Sequence, residues 1–134
     1  MQQCELDHVA LNATDVDRLL KFYAGLFGWC TERVDEWREG KVPFPSLRVN
    51  ARTIIDLFPS SESMTLKQNS DTHLNHFCIA VDLSTFRAVQ SKAQELGAEA
   101  AGGPRQLWGA RGMAVSQYYK DPEGNLFEVR CYEA

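Results

Sequence analysis

The strongest constraint on this chain is that its sequence repeats itself. Leu6-Asp7-His8 is matched 68 residues later by Leu74-Asn75-His76, and Ile55-Asp56-Leu57 is matched 72 residues later by Phe127-Glu128-Val129. Self-similarity at such a spacing marks the duplication of one supersecondary unit. The slightly larger second offset puts a few extra residues into the hairpins of the second copy.

Taken in order, each copy predicts the same elements. Leu6–Leu11 alternates as a strand does. Asn12 to Asp15 offers capping side chains, and Val16–Phe27 carries apolar residues at 16, 19, 20, 23, 26 and 27, a helical period ended by Gly28. Short extended runs follow at Trp29–Val34, Ser46–Asn50 and Arg52–Phe58, with a turn at Glu39-Gly40. Pro43 and Pro45 predict an edge or an irregular entry to the middle run. In the second copy Leu74–Val81 is a strand and Ser84 a cap. Phe86, Val89, Ala93 and Leu96 mark a helix face, and Gly97 ends it. The polar stretch 59–72 has no sustained period and is expected to be a linker or mobile loop. The expected class is therefore α+β, with the order βαβββ occurring twice in one domain, 1–134. Module one is 1–58, the linker 59–72 and module two 73–134.

Strand parity then sorts the polar residues, because successive side chains on a strand point to opposite faces. Val9 and Leu11 oppose His8; Phe77 and Ile79 oppose His76. Ile55 and Leu57 oppose Asp56; Phe127 and Val129 oppose Glu128. The bulky faces suit an amphipathic helix. The other face is expected to gather His8, Asp56, His76 and Glu128, two imidazoles and two carboxylates, a donor set for a divalent first-row ion (Zn, Ni, Co, Mn or Fe). A charge among residues such as Leu126, Phe127 and Val129 needs such a partner. Asp56, shorter than Glu, either ligates or hydrogen-bonds a ligand or water.

Bulk properties narrow the partners. A 134-residue chain with 44% hydrophobic and 24% charged residues is of ordinary globular composition. Its net charge of −4 and the lack of a Lys/Arg cluster argue against nucleic acid. No apolar run reaches the ~18 residues of a membrane span, and Met1 to Glu5 has neither the basic region nor the apolar core of a secretory signal. Cys4, Cys30, Cys78 and Cys131 form no Cys-x-x-Cys pair. The cysteines at 4, 78 and 131 fall in predicted strands as small buried hydrophobes, so a reduced, cytoplasmic protein with a small-molecule substrate is expected.

Together these stretches resemble the vicinal oxygen chelate superfamily, which includes glyoxalase, bleomycin-resistance and extradiol-dioxygenase proteins. The features that carry the resemblance are Leu6–Leu11, the helix end Phe22 to Trp29, Leu74-Asn75-His76, and the closing Tyr119 to Val129 with its Asp-Pro-Glu-Gly-Asn turn. The resemblance implies two βαβββ modules closing into an incomplete barrel around a metal held by His8, His76 and Glu128. Asp56 stands where glyoxalase I-like members carry Glu and epimerases Gln. It also implies a homodimer, in some members with a site shared between chains.

The chemistry such a set supports is the glyoxalase or epimerase type, with Glu128 as ligand and base and Asp56 as alternative base or fourth ligand. The alternatives are Fe(II) extradiol cleavage, metal-dependent modification of fosfomycin, and non-catalytic drug binding. For substrate contacts the candidates are Arg111, Trp108 and Arg130. The first two lie in a glycine-containing stretch, 105–113, expected to be a loop over a pocket. Arg111 either clamps an anion or is a solvated charge. Arg130 either faces the cavity or pairs with a nearby acid. Trp37 and Phe44 either line an apolar pocket or pack.

Overall fold

The computed structural model describes residues 4–60 and 73–133. Most of the predicted linker, 61–72, lies outside the described residues. The chain divides into two compact units, residues 1–64 and 65–134.

The first unit runs β1 (His8–Ala13), α1 (Val16–Phe27), β2 (Cys30–Glu32), α2 (Val34–Arg38), β3 (Ser46–Asn50) and β4 (Thr53–Pro59). Its sheet has the order β1-β4-β3-β2, with β1 and β4 parallel and the other pairs antiparallel. Helix α1 starts where the Asp15 carboxylate accepts a hydrogen bond from Arg18 N (3.0 Å), satisfying an amide that has no helical partner. It stops at Gly28, whose φ of 73° is a left-handed cap that a side chain would strain, with its N–H donating to Ala24 O. Val16, Leu19, Leu20, Phe22, Tyr23 and Leu26 are buried on α1, and Leu11, Leu47, Ile55 and Leu57 are buried on the sheet. The helix lies against β2, β3 and β4, so the bulky parity predicted for β4 does face a helix. Trp29, just past the cap, stacks back on Phe27 with ring centroids 4.5 Å apart.

One predicted boundary in this unit is corrected. The extended run reaches only Glu32, and Val34 opens the short helix α2. Arg33 turns the chain into it with φ 63°, and Asp35 and Glu36 place negative charge at its positive end. None of its residues is buried, so there was no apolar period to read.

The second unit runs β5 (Phe77–Ala80), α3 (Leu83–Lys92), β6 (Glu99–Ala100), β7 (Arg105–Gly109), β8 (Gly112–Lys120) and β9 (Leu126–Cys131). The sheet is ordered β5-β9-β8-β6, with β7 also paired to β8, and β5 is parallel to β9. β6 and β7 together line the edge that β2 forms in the first unit. They are separated at Gly102-Gly103-Pro104, where φ of 84° at Gly102 and a residue without an N–H break the ladder. The Gln117 amide bridges the gap by donating to Gly102 O (2.5 Å). The cap of α3 is Asp82 rather than Ser84: its carboxylate accepts from Thr85 N (2.8 Å) and from the Ser84 hydroxyl (3.2 Å). The helix ends at Lys92, before Gly97, which closes the following turn with φ 102°.

The turn from β8 to β9 is built by Asp121. Its Oδ1 accepts from the backbone N–H of Glu123 (2.9 Å) and Asn125 (3.0 Å), and its Oδ2 from the Asn125 side chain (2.9 Å). Pro122 presets the turn's first φ, and Gly124 takes the positive φ of 90°. This turn sets the register that puts Glu128 opposite Tyr118. Asp121 is itself buried. Asp121→Ala therefore strands donors and is expected to cost about 1–3 kcal/mol; an unchanged urea midpoint would show that the turn holds without it.

Candidate metal centre

The two units place a histidine and a carboxylate at the same register. In the first, Asp56 on β4 sits opposite Ala10, two residues past His8. In the second, Glu128 on β9 sits opposite Cys78, two residues past His76. In both, the carboxylate lies on the second strand of a parallel pair, with the imidazole at the start of the first strand (His8 on β1) or just ahead of it (His76 before β5). The structure thus brings the four predicted ligands together as two pairs. His8 Nε2 is 3.9 Å from Asp56 Oδ2, and His76 Nε2 is 3.3 Å from Glu128 Oε1. No group of three or more His, Cys, Asp or Glu side chains suited to a metal forms among the described residues.

Each pair is oriented by neighbours that the residue pattern alone did not single out. The residue before each histidine fixes its ring: His8 Nδ1 meets the Asp7 carboxylate at 2.8 Å, and His76 Nδ1 meets Asn75 Oδ1 at 2.7 Å. With the proton held at Nδ1, the lone pair is at Nε2, the nitrogen that faces the carboxylate. Metal-ligating histidines are characteristically tied through their other nitrogen in this way. The hydrogen bond to Asp7, then the charge of Asp56, raises the pKa of His8 above its ordinary value. The signal for these orienters was already present as the repeated Leu-Asp/Asn-His.

Both carboxylates are buried, and each has one oxygen tied. Asp56 Oδ1 accepts from the hydroxyl of Ser46, its cross-strand partner on β3, at 2.5 Å. Glu128 Oε2 accepts from Arg130 at 3.0 Å. The oxygens that remain, Oδ2 and Oε1, are those facing the imidazoles. Two ligands bound ~2.1 Å from one ion stand roughly 3.0–3.4 Å apart. The His76–Glu128 pair already has that spacing, and His8–Asp56 closes to it with a shift of under about 1 Å. Each pair therefore has the donor types and roughly the spacing of two ligands of a divalent ion.

The second pair has two further neighbours. Tyr118 occupies the position that Ser46 has in the first unit, and its hydroxyl lies 3.4 Å from His76 Nε2. Burial, then the Glu128 charge, raises the Tyr118 pKa. Arg105 lies over its ring, 5.4 Å from the centroid. Cys78, across from Glu128, is exposed as a residue, yet its thiol is pushed up to about 12, first by burial of the sulfur and next by the Glu128 charge. A raised pKa makes the reactive thiolate scarce below pH 12. In metal-free protein at pH 8.5 Cys78 is expected to alkylate at least ~100-fold more slowly than an unstructured thiol of pKa ~8.5. Glu128→Gln should speed it, and peptide mapping after timed iodoacetamide treatment reads both.

The remaining expectations fare unevenly. Of the cysteines expected to be buried in strands, Cys131 is buried, whereas Cys4 and Cys78 are exposed and Cys4 precedes β1. Residues 105–113 form the β7–β8 hairpin with Ala110-Arg111 as its turn, rather than a long loop. Trp108 on this hairpin is 78% exposed, so it neither packs nor sits in a core. The Arg111 guanidinium lies over the Tyr132 ring at 4.1 Å. Arg130 is 4% exposed and pairs with Glu128, the second of its two expected roles. Phe44 stacks on Phe58 at 4.1 Å, and Trp37 is half-buried on α2.

The fold has counterparts among known proteins. Residues 5–129 match the model of the Glyoxalase/Bleomycin resistance protein/Dioxygenase superfamily. The chain belongs to that superfamily. Among its relatives, a virulence protein of Salmonella typhimurium is 24% identical over 95% of the chain and 83% of its own length. A solved glyoxalase/dioxygenase from Nostoc punctiforme superposes with a TM-score of 0.71 at 23% identity, covering 95% of this chain and 90% of that one. The fosfomycin resistance protein FosX of Mesorhizobium loti gives 0.69 at 15% identity, covering 98% and 93%. The superfamily fold, mixed α+β on two sheets, is thus the fold of this chain. No helix among the described residues is long and apolar enough to cross a membrane.

Proposed function

We propose that this chain is a divalent-metal-dependent enzyme of the glyoxalase type, a lyase or isomerase acting on a small molecule with two adjacent oxygens. The observation that carries the reading is the duplicated pair: in each unit an Nδ1-tied histidine turns Nε2 toward an oxygen of a buried carboxylate. His8, His76 and Glu128 are the proposed ligands, with Asp56 as fourth ligand or base.

Bound there, a first-row ion supplies Lewis-acid polarisation of the substrate oxygens. The protein's own groups do the rest. Asp7 and Asn75 keep the imidazoles in the ligating tautomer. Ser46 and Arg130 each occupy one carboxylate oxygen and leave the other to accept a proton from the carbon beside a substrate carbonyl. The exposed Trp108 and Arg111 on the β7–β8 hairpin are the proposed substrate contacts, Arg111 for an anionic group.

A second reading is favoured by Tyr118. Its hydroxyl, 3.4 Å from His76 Nε2, puts an O–H beside the imidazole of the second pair, as proton donation in Fe(II)-dependent ring cleavage or in epoxide opening of the fosfomycin type would require.

The test starts with metal content of the protein as purified, expected to be a stoichiometric divalent ion. Assays follow on hemithioacetals and on substrates epimerised beside a carbonyl, on catechols with Fe(II) by oxygen uptake, and on fosfomycin with a thiol. Turnover of the first group is expected. Oxygen uptake or fosfomycin modification in its place would establish the second reading. A drug bound and recovered unchanged, without metal, would sink both.

A further inference from the structure

We propose that Arg130 is a positioning residue for Glu128 and that it couples the tip of the β7–β8 hairpin to metal retention. The inference rests on the metal reading above. Arg130 is the sequence neighbour-but-one of Glu128, on the same face of β9, and both are 4% exposed. Its two terminal nitrogens donate to four oxygens. One nitrogen donates to Glu128 Oε2 at 3.0 Å and to Trp108 O at 3.2 Å; the other donates to Leu107 O at 2.9 Å and Gly112 O at 3.1 Å. The ring of Tyr132 lies 4.8 Å from its central carbon. Three of the four partners are backbone carbonyls of the hairpin, so the position of the fork is set by the path of residues 107–112.

The hairpin is shaped to receive it. A Cβ on Gly109 would fall 2.3 Å from Arg130 Cζ and 2.6 Å from both terminal nitrogens. Glycine is needed there for close approach of the guanidinium to the backbone. A lysine cannot reproduce the arrangement, because an ammonium lacks the planar fork that reaches a carboxylate and three carbonyls at once.

The consequence falls on Glu128. With Oε2 held by Arg130, the carboxylate turns Oε1 toward His76 Nε2. Asp56 in the first unit is held instead by a hydroxyl on its own sheet neighbour, Ser46, with no link to a hairpin tip. The coupling is thus a property of the second unit. Displacing the tip, where Trp108 and Arg111 are exposed, moves the three carbonyls, then Arg130, then Glu128.

Co(II) is the probe, titrated into metal-free wild type, Gly109→Ala, Arg130→Lys and Arg130→Met. Gly109→Ala and Arg130→Met are expected to bind Co(II) ~10–100-fold more weakly, as loss of a ligand's supporting contact does. Their visible spectra should shift, while far-UV circular dichroism of the metal-free proteins stays that of wild type. Arg130→Lys should fall between. In wild type, Co(II) should also slow amide hydrogen exchange at 107–112, and in Arg130→Met it should not. Should Arg130→Met fail to fold, Gly109→Ala carries the test alone. Folded Gly109→Ala with wild-type Co(II) affinity and spectrum overturns the coupling while leaving the metal reading intact. A wild type that takes up no Co(II) overturns the metal reading, and the coupling with it.

Discussion

Glu128→Ala should destabilise the metal-free protein by about 3–5 kcal/mol, the penalty for breaking a buried ion pair from one side. The reason is Arg130, which stays 4% exposed with its charge no longer opposed. Its three carbonyl partners accept hydrogen bonds but do not neutralise it. The double variant Glu128→Gln with Arg130→Met removes both charges at similar volume and should recover most of the loss, because a buried pair replaced by packed neutral groups is often tolerated. Equilibrium urea unfolding in a chelator measures both. A single variant within about 1 kcal/mol of wild type would mean that water reaches the pair and the burial argument is wrong.

The second large effect concerns metal affinity. His76→Ala and Glu128→Gln are each expected to weaken divalent-ion binding by at least ~100-fold, more than the ~10–100-fold that loss of an orienting neighbour such as Asp7 or Asn75 costs. Asp56→Asn should cost less than either, because Asp56 stands further from its imidazole, 3.9 Å against 3.3 Å. Competition against a chromophoric chelator gives the ranking. Equal losses at Asp7, Asn75 and the four ligands would instead indicate that folding, not coordination, had been perturbed.

Much of this was legible before any coordinates. Helix α1 was readable to the residue because two strong local signals, a capping carboxylate and a left-handed glycine, bracket a clear apolar period. The opposed faces of β1, β4, β5 and β9 followed from parity, since a strand cannot change which side a residue occupies without a bulge. The short helix α2 was not readable, for it buries nothing and so leaves no period. The cap of α3 was misplaced by two residues: Asp82 and Ser84 are both good caps, and only the backbone path decides which accepts the Thr85 amide. The exposure of Cys78 was not readable because strand context does not say which face is covered, and Cys4 lies ahead of β1, outside any strand.

The site divides along the same line. The amino-acid order alone determined the duplication, the placing of a histidine and a carboxylate at matched points in each copy, and their separation from the apolar faces. These depend on periodicity, which is a property of the chain. The tertiary structure decided which oxygen of each carboxylate faces the imidazole and which nitrogen of each histidine is tied. It decided too that Arg130 belongs to Glu128 and the hairpin carbonyls rather than to an open face. Those choices rest on distances of about 3 Å between residues far apart in the chain, and no sequence spacing encodes them.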